Sequence, residues 1–195
     1  MHYEITRMRR KNIILVILAF SLPCRAHSQN FDALTSRIFF NVDIKKRDTT
    51  IISTFKSKPE LSLDKKERWT SYPPNFDTKK ILPYETFLFS EHPYFLHFKS
   101  GELSLIETKD GRSLAGMSLS LAYETKEIFD SVYKSIKGLY GAYSSKAIKR
   151  PGMYFPSEET KYLSKNGKDY VIVSNGGSDN MKYIYIAYDW QGYEW

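Results

Sequence analysis

The chain has 195 residues, 29 Lys and Arg against 22 Asp and Glu, a formal charge of +7 and a single cysteine. That length fits one domain with a sizeable core. One cysteine excludes an internal disulfide and a cysteine-rich metal site.

The first element is an export signal. Arg7, Arg9, Arg10 and Lys11 stand against one acid, Glu4, and an unbroken apolar run from Ile13 to Phe20 follows. The apolar stretch matches the ~7–15 residues of a signal core and falls short of the ~20 a spanning helix needs. Pro23 breaks any helix, and Ala26-His27-Ser28 offers small residues where a signal peptidase reads. Cleavage is expected after Ser28, making 1–28 the signal peptide and 29–195 a single domain with no transmembrane span. A retained N-terminal anchor is one alternative. The other is lipidation of Cys24, which would hold the protein at a membrane surface. Leu22 is one place out of register for the bacterial lipoprotein pattern, with Ser21 and Pro23 at the positions that matter.

Removing 1–28 takes five basic residues and one acid with it, so the formal charge falls from +7 to +3. The remaining Lys and Arg are interspersed with acids, and nucleic-acid binding loses its main support. The sole cysteine leaves too, and with it any thiol nucleophile or thiolate-bound metal. A cysteine-free exported domain points to a bacterial protein, periplasmic or secreted, because small animal extracellular domains usually rely on disulfides.

A helix is predicted over Asp48–Lys58, capped by Asp48 or Thr49, with Ile51, Ile52 and Phe55 on one face and Pro59 as its stop. Lys58 to Lys80 reads as a polar loop with a short strand near Arg68 to Tyr72. Thr86–Ser90 and Tyr94–Phe98 read as aromatic strands interrupted at His92-Pro93. Leu103–Thr108 and Ser113–Tyr123 flank the turn Lys109-Asp110-Gly111-Arg112. In the second of these, Met117, Leu119, Leu121 and Tyr123 alternate with Ser118, Ser120 and Ala122, a core face and a face of small residues. Thr125–Tyr140 is the strongest helix, with Ile128, Phe129, Val132, Tyr133, Ile136, Leu139 and Tyr140 in one stripe. A basic connection, Lys146–Pro156, leads to strands over Lys161–Lys165, Tyr170–Ser174 and Met181–Tyr188. Asn166-Gly167 signals a type I′ hairpin.

The expected fold is α+β, a mostly antiparallel sheet with two helices packed on one face. Ile51-Ile52-Ser53-Thr54-Phe55 and Ile128-Phe129-Asp130-Ser131-Val132 raise a diverged helix-plus-strands duplication as an alternative. The order is similar in architecture to tandem helix-plus-sheet modules such as the β-lactamase inhibitor protein and small envelope assembly factors, with no shared motif.

Catalytic signals are sparse. His92 and His97 are the histidines left after cleavage, and on a strand their odd spacing sends them to opposite faces. Asn175-Gly176-Gly177-Ser178-Asp179-Asn180 has calcium-type oxygen ligands but lacks a second carboxylate, and a strand follows where a phosphate loop needs a helix. It reads as a turn. No metal or cofactor is expected. The conspicuous feature is the aromatic C-terminus: Tyr183, Tyr185, Tyr188, Trp190, Tyr193 and Trp195. With Ile184 and Ile186 facing a core, Tyr183 and Tyr185 face outward as a binding platform. The aromatic end at Trp195 also fits an outer-membrane barrel strand, which the Thr125–Tyr140 helix opposes. The expected function is therefore a non-enzymatic exported binding or inhibitory protein, envelope-associated, with an unknown protein or glycan partner. Its contact residues would be Tyr183, Tyr185, Tyr188, Trp190 and Trp195. The alternative is a small secreted hydrolase built around Glu91, His92 and His97.

Overall fold

The computed structural model describes residues 30–46, 48, 50–69, 82–108, 113–148, 158–178 and 180–189. Its elements are α1 (Phe31–Ile38), α2 (Thr50–Lys56), β1 (Ser62–Trp69), β2 (Leu82–Phe89), β3 (Ser100–Glu107), β4 (Leu114–Tyr123), α3 (Lys126–Tyr140), β5 (Ser144–Ile148), β6 (Glu159–Leu163), β7 (Tyr170–Gly177) and β8 (Lys182–Asp189). The strands form one eight-stranded sheet, ordered β1-β2-β3-β4-β8-β7-β6-β5, with every neighbouring pair antiparallel. The α+β class therefore holds, as a mostly antiparallel sheet with three helices among the described residues rather than two.

The topology is two four-stranded meanders, each running from an edge of the sheet to its centre. There β4 and β8 pair along Met117↔Tyr188, Leu119↔Ile186 and Leu121↔Ile184. Helix α3 carries the chain from β4 to the far edge. Phe129, Val132, Tyr133, Ile136 and Tyr140 are its buried stripe, and it contacts β8, β4 and β7. Glu127 in the first turn and Lys137 in the last suit the helix dipole.

Register divides every strand into two faces. One row runs Phe87, Leu103, Leu119, Ile186, Val173 across β2, β3, β4, β8 and β7, and these five side chains are at most 1% exposed. This Leu119 face joins Ile51, Phe55, Phe129, Ile136 and Tyr140 of the helices in one hydrophobic cluster. Burying a side chain of that size contributes roughly 1.5–3 kcal/mol, and this face carries most of that gain.

Sequence and structure part at five places. Helix α1 was not expected; Phe31, Leu34, Thr35 and Ile38 form a stripe at i, i+3, i+4 and i+7 that is buried. Strand β1 begins at Ser62, well before Arg68, and at the sheet edge it pairs with β2 despite its charges. Strand β5 lies in the stretch read as a connection; Ser144, Ser145, Lys146 and Ala147 are all exposed, so no alternation marks it. Tyr94–Phe98 is not a strand. The Tyr94 and Phe95 amides instead donate to His92 Nδ1, which turns their backbone away from any strand partner. Finally, the hairpin at Asn166-Gly167 is not type I′, because only Gly167 has positive φ there (68°), with its N–H closing the turn on the Ser164 carbonyl.

Among the described residues no helix is long and apolar enough to cross a membrane. Cys24, the cleavage position after Ser28, the 109–112 turn and Trp190, Tyr193 and Trp195 lie outside the described residues.

Candidate functional site

The alternate residues of the same strands make the second face. Its central row runs Leu88, Glu102, Ser120, Tyr185, Ser174, Glu159 across β2, β3, β4, β8, β7 and β6. The next row holds Thr86, Ser104, Ser118, Ala187 and Ile172. Gly116, Ser118, Ser120 and Ala122 give β4 no tall side chain on this face, so it runs low through the middle of the sheet.

Tyr183 and Tyr185 rise from that floor. Their rings stack at 6.0 Å with 20° between planes, and Tyr185 is 42% exposed while Tyr183 is half-buried. Period two places both on the Ser120 face. Gly176 lies beside them: a Cβ there would meet Tyr185 Cε2 at 3.5 Å, in ordinary contact. The Tyr185 ring leans diagonally toward that position, which pairs with Tyr183. Burial, then Tyr183 and the Glu102 carboxylate, raises the Tyr185 phenol, so it stays a protonated donor through neutral pH. Glu102 is exposed and one strand from Tyr185 through Ser120; its carboxylate accepts the Ser104 hydroxyl at 3.2 Å. The result is a flat aromatic pair beside a carboxylate acceptor and serine hydroxyls, suited to burying an apolar group and hydrogen-bonding its polar rim.

Tyr188 parts from that pair. By parity it belongs to the Leu119 face, where it is 3% exposed and packed in the hydrophobic cluster. Sequence reasoning missed Glu102 and read Gly176 only as part of a turn. Alternation in Gly101-Glu102-Leu103-Ser104-Leu105 marks Glu102 as outward, but only register brings it beside Ser120.

Glu91, His92 and His97 lie on the irregular 90–99 segment. His92 is 5% exposed, and its ring is held from both ends. Nε2–H donates to the Ile38 carbonyl at 2.9 Å, and Nδ1 accepts from the Tyr94 and Phe95 amides at 3.1 and 3.3 Å. The ring stacks on Phe95 and meets Phe40 edge-on, each at 4.5 Å between centroids. Burial lowers its pKa to about 4, with the Ile38 bond opposing the shift. A general base needs a nitrogen turned toward substrate, and both nitrogens here are bonded to backbone. His97 is exposed, with a φ of 59°. The adjacent concavity, about 450 Å³ and lined by Pro59, Glu60, Glu91, His92 and Pro93, is shallow. No group of three or more metal-ligating side chains occurs among the described residues.

Asn175, Gly176 and Gly177, read as a turn from the sequence, are the last residues of β7, where Asn175 Oδ1 accepts the Glu158 amide at 3.0 Å; Ser178 N–H bonds the Met181 carbonyl at 2.8 Å in the turn that follows. Gly177 has a φ of 120° and a Cβ there would meet Met181 O at 2.1 Å, so glycine is required by the turn.

Compared with protein-family models, with curated proteins and with solved structures, the chain gives no match in any of the three.

Proposed function

We propose that this chain is an exported, non-enzymatic binding protein, periplasmic or secreted, whose contact surface is the Ser120 face centred on Tyr183 and Tyr185. In this reading the helices gather over the Leu119 face and leave the other free for a partner. The observation that carries it is Tyr185, a large aromatic left 42% exposed on a central strand amid small residues. An aromatic in that setting gains most when a partner buries it.

A protein partner is favoured over a glycan by Leu88, also 42% exposed and in the same row as Tyr185. Three strand spacings separate them, about 14 Å. One sugar ring does not span that distance, and a leucine gains little from a hydroxylated surface. The hydrolase alternative around Glu91, His92 and His97 draws no support from His92, whose ring nitrogens are both bonded to backbone.

The test compares wild type with the Tyr183→Ser/Tyr185→Ser variant against an envelope extract and a glycan array, with a thermal melt of each. Binding to a proteinaceous component that falls at least tenfold in a variant with an unchanged melt supports the reading. Undiminished binding overturns the site, and glycan binding alone overturns the protein assignment.

A further inference from the structure

The 90–99 segment and the end of α1 are joined through one imidazole, and the join uses that ring in a single protonation state. Nε2–H supplies a donor to the Ile38 carbonyl, one of the carbonyls a helix end leaves unpaired. Nδ1 supplies the acceptor for two amides, Tyr94 and Phe95. A neutral ring with its proton on Nε2 satisfies all three. An imidazolium carries a proton on Nδ1 as well and would point it at two N–H donors.

What this ring holds down is strained. Phe40 and Asn41 follow α1 with φ of 56° and 57°, two consecutive non-glycine residues in the left-handed region. Phe40 is kept there by burial, edge-on to Phe89 at 4.9 Å and to His92 at 4.5 Å. Asn41 is kept there by its side-chain oxygen, which accepts the Tyr94 hydroxyl at 2.9 Å. The His92 contact on Phe40 and the Tyr94 bond to Asn41 both run through the 92–95 segment that His92 organises.

We propose that His92 is a proton-operated latch: protonation of its ring in mild acid releases the end of α1 and the 91–98 segment from the sheet while the β4–β8 core stays folded.

The surroundings leave the imidazolium without compensation. Phe40 and Phe89, from the end of α1 and from β2, are uncharged, as is Phe95 on the same segment. Glu91 on the segment and Glu60 from the α2–β1 turn line the shallow concavity beside His92. Arg37 precedes Ile38 and is exposed, and Asp43 beyond Phe40 bonds the Lys45 amide. Tyr94, the remaining titratable neighbour, is tied to Asn41. None of these contributes to the shift, which arises from burial against the Ile38 bond. The sign follows. With the pKa lowered from 6.5 to about 4 in the latched form, the released form takes up a proton that the latched form refuses. The latch is at full strength above the ordinary histidine value, weakens as pH falls below it, and by pH 4 has shifted toward release by about 160-fold.

The experiment is hydrogen exchange of the full chain between pH 7.5 and 4.5, corrected for the intrinsic exchange rate, beside His92→Gln. Glutamine keeps an amide donor and a carbonyl acceptor but does not titrate. In wild type, peptides covering 31–42 and 91–99 should lose about 70-fold in protection between pH 7.5 and 4.5, with 184–188 unchanged. The His92→Gln variant should show no such differential loss. Equal acid loosening in the variant overturns the latch, as does loss of protection in 184–188 in step with 31–42, or no loss at all. Should circular dichroism show His92→Gln unfolded, the wild-type His92 ring proton titration decides. A midpoint depressed below the ordinary value, coincident with loss of Phe95 amide protection, supports the latch. An ordinary midpoint with Phe95 undisturbed overturns it.

Discussion

Two adjacent rows of the same strands show how differently one backbone can be used. Phe87, Leu103, Leu119, Ile186 and Val173 are essentially inaccessible. Leu88, Glu102, Ser120, Tyr185 and Ser174, each one residue further along or back, form a low floor with an exposed leucine and an exposed tyrosine at 42%. Hydrogen bonding and strand geometry are common to both rows, so the difference lies in the side chains alone. On the buried row volume and apolarity are selected, because every methylene excluded from water contributes. On the Ser120 row height matters more than apolarity, and low residues clear the space around an aromatic pair.

The sharpest way to break this comparison is to cut one residue from each row on the same strand. Ile186→Ala should destabilise by about 2–5 kcal/mol, since a fully buried β-branched side chain leaves a cavity between β4, β7 and α3. Tyr185→Ser should cost under ~1 kcal/mol, because half-exposed area and strand propensity are all it loses. Urea titration of both variants checks this. Similar costs would mean that the Ser120 face is a second core rather than a surface.

That division was legible in the sequence wherever alternation was clean. Met117, Leu119, Leu121 against Ser118, Ser120 assigned both faces of β4, and Ile184, Ile186 against Tyr183, Tyr185 did so for β8. Alternation fails where a strand gains nothing from burial. Four of the five β5 residues are exposed, so their sequence resembles a loop, and β1 carries Lys, Asp and Glu at an edge. It misleads where an aromatic run is folded by a side chain: Tyr94-Phe95-Leu96-His97-Phe98 has strand composition, yet the His92 ring takes its first two amides. Helix α1 shows the right spacing over only eight residues, too short for periodicity to stand out. The candidate site was half legible, because parity gives Tyr185 its direction but only register gives it Glu102, Ser120 and Gly176 as neighbours.

One residue violates the rule of the buried face, and that violation gives the next test. Glu85 lies in register with Leu105, 1% exposed, and its carboxylate is met by Lys56 of α2 at 2.9 and 3.1 Å. This pair ties α2 to the strand. Lys56→Met leaves the carboxylate without that counter-charge and should cost roughly 1–3 kcal/mol, below the full cost of breaking a buried pair because Lys56 is itself 44% exposed. Adding Glu85→Leu to the same chain should recover much of the loss, since matched apolar replacements of buried ion pairs are often neutral. A double-mutant cycle by chemical denaturation measures this. No recovery would mean that Glu85 serves other groups more than Lys56.

The smallest effect separates two tyrosines buried on the Leu119 side. Tyr140 and Tyr123 both have inaccessible side chains. The Tyr140 hydroxyl lies 3.2 Å from Thr35 Oγ1, whereas the Tyr123 hydroxyl has no hydrogen-bond partner among the described residues. Burial pushes both phenols far above their ordinary value, for Tyr123 with no other contribution. An unpaired buried hydroxyl costs its desolvation without a bond in return. Tyr123→Phe should therefore leave stability unchanged or raise it by up to about 1 kcal/mol, while Tyr140→Phe should lower it by about 1 kcal/mol through the lost link between α3 and α1. Equal losses in thermal melts would show that the Tyr123 hydroxyl is satisfied, for which a buried water is the simplest partner. A gain for Tyr123→Phe alone would show that this face tolerates a polar atom it does not use, which limits how strictly its packing excludes polar groups.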